Sequence, residues 1–202
     1  MKRRDFILTG STGALLAAGT SASANMKKKM PWDWTDEHGP ANFLKVDTNP
    51  LQDEFKKYPR CPYCGMMRKM WSHTRHLIVY EDDSVDGTCS IHCAGISLSM
   101  NMDRGPKVIY AGDAGAEGEV KPLVDTAKMT YVINPTKMGT MTKVSKHAFA
   151  DKAAAEAAAA EADGTSMVGF DDALRAAFNG MAEDTIAIRK RRAERRKKMA
   201  SN

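Results

Sequence analysis

Apolar and polar positions change period several times along the chain, and the changes mark out its elements. His76-Leu77-Ile78-Val79-Tyr80-Glu81 is a β-branched run bounded by Asp82-Asp83-Ser84, which predicts a strand entering a turn. Residues 85–88 can pair back as its hairpin partner. Ser90 predicts the N-cap of a helix reaching about Met102, with Ile91, Ala94, Gly95, Leu98 and Met102 on one face. Gly105-Pro106 ends that helix, and 107–111 is the next strand. The order then recurs. Residues 129–133 form a strand, 134–139 a loop and 143–149 a second strand. Asp151 caps an alanine-rich helix over 152–162 that stops at Asp163-Gly164. A short strand follows at 165–168, and Asp171 opens a helix through Asn179. The prediction is an α+β fold of two ββαβ units, 58–125 and 126–180. Whether the units share one core or stand as two lobes is open at this level.

The flanks carry less pattern. Residues 25–57 read as an irregular N-terminal arm in which Trp32 and Trp34 cap a hydrophobic edge, with a short helical turn at 51–57. The alanine run 153–160 is a strong helix former with little to pack, as expected of a thin surface helix. Residues 181–202 read as a terminal helix or frayed tail.

Charge changes the picture at the two ends. The formal net charge is +5, but residues 189–198 alone hold eight Lys/Arg and one Glu. Lys2-Arg3-Arg4-Asp5 adds another +2, which leaves about −4 for everything between. Nucleic-acid binders spread positive charge over the folded surface, so that class is excluded. The basic run is a solvated segment or a weak electrostatic hold on an anionic membrane surface. Residues 1–24 read as an export signal: adjacent arginines, Asp-Phe-Ile-Leu, an apolar stretch and Ala22-Ser23-Ala24 as the small-residue cleavage site. The head resembles the twin-arginine motif, which implies export of a folded, soluble, periplasmic protein. No cysteine precedes Cys61, so a lipoprotein is not expected.

The chemistry concentrates in Cys61-Pro62-Tyr63-Cys64-Gly65-Met66, with Met67 and Met70 directly after it. Thiolates and thioethers select soft metals, copper(I) first and zinc as the alternative. Cys89 and Cys93 follow after 24 intervening residues, and the four cysteines can close a tetrahedral zinc site. In an oxidising compartment, disulfides are the competing outcome. Cys-Pro-Tyr-Cys is also the tetrapeptide of glutaredoxins. A redox pair of that kind opens a long helix after a strand, however, and neither Lys56-Lys57-Tyr58-Pro59-Arg60 nor Gly65 fits that context. His73 and His76 lie close enough in sequence to reach a metal. No nucleophile–base pair or paired carboxylates stand at suggestive spacing, so the chain is not expected to be an enzyme.

The cysteine loop and the later Pro135-Thr136-Lys137-Met138-Gly139 together resemble the NosL family, as does the helix entry Ala148-Phe149-Ala150-Asp151-Lys152. YHS and TRASH metal-binding domains share only the Cys-x-x-Cys-Gly-Met start. NosL proteins are accessory proteins of nitrous oxide reductase that act as copper(I) chaperones. The resemblance spans about residues 58–178 and implies Cys64 and Met138 as copper ligands, Met66 as the next candidate and Cys61 as the outer cysteine. Met67, His73 and Cys93 are secondary candidates, Cys93 more readily a packing or disulfide residue. A copper enzyme, nitrous oxide reductase first, is the implied partner. Three features depart from the family pattern: the non-lipoprotein signal, Lys137 before Met138, and the basic C-terminal run.

Overall fold

The computed structural model describes residues 33–39, 41 and 43–201. The predicted export signal and the Trp32 and Trp34 side chains lie outside the described residues. The chain runs α1 (Asp33–His38), β1 (Lys45–Val46), α2 (Glu54–Lys57), β2 (His76–Tyr80), β3 (Ser84–Thr88), α3 (Ile91–Met100), β4 (Pro106–Gly112) and β5 (Leu123–Asp125). It continues with β6 (Thr130–Asn134), β7 (Ser145–Phe149), α4 (Lys152–Ala160), β8 (Ser166–Val168) and α5 (Phe170–Ala200). The fold is α+β, with a five-stranded sheet ordered β1-β3-β2-β4-β5 and a three-stranded sheet ordered β7-β6-β8. All pairings between named strands are antiparallel.

The repeat is visible in the strand order. In each unit the first strand is central, its hairpin partner lies on one side, and the strand after the helix lies on the other. β2 (HLIVY) is buried at all five positions, as a continuous β-branched run requires when both faces of a strand are covered. Asp151 caps α4 by accepting a hydrogen bond from the Ala154 N–H at 2.7 Å. Ser90 stands at the N-cap of α3 in extended backbone but makes no side-chain capping bond.

The two units share one core. Ile91 and Ala111 of the first pack with Met129, Tyr131 and Ala148 of the second, closed by Ala173 and Ala177 of α5. The sheets also meet through backbone, where Ala114 N–H donates to the Ala148 carbonyl at 2.8 Å. Across the seam, buried His76 and Tyr131 satisfy each other at 2.9 Å. The His76 Nδ1 lies 2.9 Å from the Thr74 carbonyl, which can only accept. Nδ1 therefore carries the proton, and Nε2 accepts from the Tyr131 hydroxyl. Burial drives the His76 pKa down to about 4.

Two expectations need correction. The arm contributes an edge strand, because Lys45 and Val46 pair with Val85 and Ser84. β5 extends the opposite edge. Strands of two or three residues are too short to display a period, and backbone pairing alone defines them. The C-terminal segment is the terminal helix of the two alternatives, but it is not separate from the helix before Gly180, since α5 runs unbroken for 31 residues. A helix-interior glycine costs about 1 kcal/mol relative to alanine. Gly180 is carried by packing on one side, where Leu174, Phe178 and Met181 lie against Gly95 of α3, and by strong helix formers on the other. Among the described residues, no helix is long and apolar enough to cross a membrane.

Candidate metal centre

The Cys61–Met66 segment is closed by short-range backbone bonds. Cys61 N–H donates to the Met66 carbonyl, and Gly65 N–H donates to the Cys61 carbonyl, both at 2.9 Å. Gly65 has φ +76°, a conformation glycine adopts without the penalty a Cβ would bring. Arg60 and Met67 pair as an isolated bridge at the base of this finger. The pairing makes the backbone extended, so successive side chains point to opposite sides. Met66 accordingly packs against the cysteines, whereas Met67 is 41% exposed and stands away from them.

Cys89 follows β3 directly, and Cys93 lies in the first turn of α3. The hairpin–helix junction therefore delivers both thiols to the finger. The four Sγ atoms lie within 4.8 Å of one another. Cys64 is 3.4 Å from Cys89, Cys89 is 3.8 Å from Cys93, and Cys93 is 3.8 Å from Cys64. A disulfide requires about 2.05 Å, and all four cysteines are free. A tetrahedron with metal–sulfur bonds of about 2.3 Å has sulfur–sulfur edges of about 3.8 Å. The donor set therefore fits a tetrathiolate metal site. Cys61, Cys89 and Cys93 are buried and Cys64 is the half-exposed corner. Cys93, expected at a packing position, is a full member of the cluster, as is Cys89.

The thiols share their charge unevenly. Hydrogen bonds donated by Cys89 and Cys93 push the Cys61 thiol well below its ordinary range. The same hydrogen bonds push Cys89 and Cys93 upward, since each must keep its proton to donate. A soft cation in the middle would replace those protons and let all four ionise.

A buried ionic frame holds the finger in place. Arg68 is fully buried and donates to the carbonyls of Tyr58, His76 and Thr88 at 2.7, 3.1 and 3.2 Å. Glu54 of α2 meets Arg75 Nε through Oε1 at 2.8 Å and stands 2.7 Å from Arg68 through Oε2. Below the finger, the Tyr63 and Ser97 hydroxyls both donate to Asp86 on β3. Burial raises the Asp86 carboxyl despite those two donors. None of these charged residues has a periodic or motif signature, so the sequence reading missed them. A lone charge inside otherwise strand-forming sequence, such as Asp86 in Ser84–Thr88, was the available hint.

Beside the cluster a cavity of about 760 Å³ opens between the units. Met66 and Trp71 line it from the first unit, His92 from α3, Met138 and Met141 from the β6–β7 connection, and Met181 from α5. The structure thus brings Met66 and Met138 to one cavity, with Met138 at its rim and 84% exposed. The connection is pinned by a hydrogen bond between the Thr74 and Thr140 hydroxyls at 3.0 Å and by a tight turn in which Gly139 N–H donates to the Thr142 carbonyl at 3.0 Å. A Cβ on Gly139 would lie 2.8 Å from both Thr142 Cγ2 and the Val144 carbonyl oxygen. His73 is placed elsewhere. Its ring stands 5.5 Å from that of His147, in a separate cavity that also holds Lys121 and Lys137. His76 is a buried core residue.

No curated protein matches the chain. The NosL family model matches residues 52–178, a span that holds the cysteine finger, the α3 junction, the Met138 loop and both sheets except β1. Covering well over half of its length, that match shows that the chain belongs to the NosL family.

Proposed function

We propose that this protein is a periplasmic copper(I) carrier that hands its ion to a copper enzyme, nitrous oxide reductase being the receiver. The observation that supports it most is the convergence of four free thiols at metal-site spacing in a member of a copper-binding accessory family. Cys64 anchors the ion as the exposed corner. Met66, packed on the cluster, and Met138, exposed on the facing loop, complete it. Soft donors hold copper(I) in its reduced state. Exposed thioethers leave more readily than thiolates, so an incoming ligand of the receiver can displace them. Export in the folded state through the twin-arginine route fits a protein that meets its metal in the periplasm.

A second reading rests on the sulfur–sulfur distances themselves. Edges of 3.4–3.8 Å among Cys64, Cys89 and Cys93, with Cys61 in the same cluster, suit a closed tetrathiolate zinc that ties the finger to α3, as in non-transferring domains of the YHS or TRASH kind. Anaerobic titration of the reduced full chain with copper(I) and zinc(II), each against a competing chelator, separates the two. The carrier takes one copper(I) tightly, loses it in Cys64→Ser, and binds it more weakly in Met138→Leu with an unchanged melting curve. Tight zinc binding with no preference for copper(I), together with unfolding on chelation, overturns the carrier reading.

A further inference from the structure

Four thioethers and one imidazole face the cavity beside the cysteines, and three facts about them are not explained by packing. Met138 is 84% and Met141 40% exposed, so neither fills a core. Met141 sits at φ +65°, left-handed backbone that glycine or asparagine adopts at lower cost, yet it places a methionine over the cavity. His92 has a buried Nδ1 with no hydrogen-bond partner. The other such atom among the described residues, Glu54 Oε2, is ion-paired to Arg68, so it has a charge partner. Buried polar atoms left without a partner in native proteins need a cause, and an ion in the cavity is one.

We propose that His92, Met141 and Met181, with Met138 at the rim, form a second soft-metal site that holds copper(I) more weakly than the cysteine cluster, on its way out to the receiver. This rests on the copper reading above and adds to it a site made of neutral ligands. Neutral imidazole and thioether donors match a monovalent soft ion, and they do not compensate the desolvation of a divalent one. The remaining charges lining the cavity, Lys143 and Arg191 against Asp184, also disfavour a dication. The arrangement gives an order of occupancy. The thiols fill first, and the thioether–imidazole site fills second, where a receiver's ligands can reach it.

The test uses the reduced full chain and silver(I), a redox-inert stand-in for copper(I), followed by the methionine methyl resonances. The first equivalent should produce the thiolate-to-metal absorption. The second should move the methyls of Met141 and Met181, whereas the Met138 methyl, which also completes the cysteine site, moves from the first equivalent on. Met141→Leu/Met181→Leu and, separately, His92→Ala should weaken the second equivalent by more than the roughly 10- to 100-fold that loss of an outer-sphere partner costs, and leave the first unchanged. If the double variant melts early, Met141→Leu alone, at a half-exposed side chain, carries the test. Met141 and Met181 methyls unmoved at two equivalents, or a second equivalent indifferent to all these variants, overturn the proposal while the cysteine site stands. Shifts of the Met141 and Met181 methyls at the first equivalent with no thiolate band support this site and overturn the cysteine reading instead. An apolar peptide that shifts the methyls where silver does not would make the cavity a docking groove and overturn the proposal.

Discussion

Replacing Glu54 by glutamine tests whether the ionic frame under the cysteine finger is held by charge. Glu54 carries 8% side-chain exposure and faces two guanidiniums, Arg68 with none and Arg75 with 3%. Glutamine keeps the volume and one acceptor but removes the charge. Breaking a buried ion pair by deleting one partner costs about 3–5 kcal/mol, because the survivor is left uncompensated in a low-dielectric setting. Here two cations survive. Asp86 and the Cys61 thiolate also stabilise the charged form of Arg68, and Arg75 lies 4.7 Å from the Phe55 ring centroid, so the lower end applies. A loss of about 3 kcal/mol in a domain of this size lowers Tm by roughly 6–12 °C. Urea melts and thermal melts of Glu54→Gln against the parent measure it. Asp53→Asn is the control, since its pair with Lys56 at 3.1 Å is exposed on both sides and is worth at most about 1 kcal/mol. The Arg75→Met background isolates the coupling to one arginine in a double-mutant cycle. A loss below about 1 kcal/mol for Glu54→Gln refutes the reasoning and assigns the frame to the backbone hydrogen bonds of Arg68 and Arg75.

Other outcomes follow from single features. Stability should fall as pH drops from about 6.5 to about 4. The unfolded chain protonates its histidine at 6.5, whereas buried His76 resists until about 4, a difference of roughly 3 kcal/mol. Urea midpoints at pH 7 and 4.5 should therefore lie closer together in His76→Gln than in the parent, the remaining slope belonging to His147, which burial also lowers to about 4, and a parent with no slope in this window refutes the assignment. Asp151→Ala should cost about 1 kcal/mol through loss of the α4 cap, read by thermal melting, and a neutral result would show the cap to be dispensable. Gly139→Ala should cost about 1–3 kcal/mol by crowding Thr142 and Val144. It should also weaken the metal response of Met138 and Met141 while sparing the thiolate absorption, and unchanged methyl spectra would exclude a role for the turn.

Much of the architecture was legible because it rests on local rules. The β-branched run of β2, the Asp151 cap and the stop at Gly164 are decisions taken within a few residues, and the repeated ββαβ order followed from them. The misses have a physical cause too. β1 and β5 are too short to show a period and exist only because a neighbouring edge pairs with them. α5 runs past Gly180 because α3 supports one side of it, a contact between residues some eighty positions apart. At the site, the Cys61–Met66 finger and its soft-metal chemistry were readable, and so was the Met138 loop. The role of Cys89 and Cys93 was not, since spacing alone leaves zinc, disulfide and packing equally open.

The sequence by itself determined the donor set: sulfur atoms on a glycine-closed finger, a basic end and two similar α+β units. Tertiary structure alone decided which donors meet. Packing of β3 into α3 sets Cys89 and Cys93 within 3.4–3.8 Å of Cys64 or of each other, and the shared core turns the second unit's loop toward the first. Side-chain direction separated Met66 from Met67, adjacent in sequence and opposite in orientation. Donor identity is a property of residues, but a coordination sphere is a set of distances, and those exist only once the long-range contacts have formed.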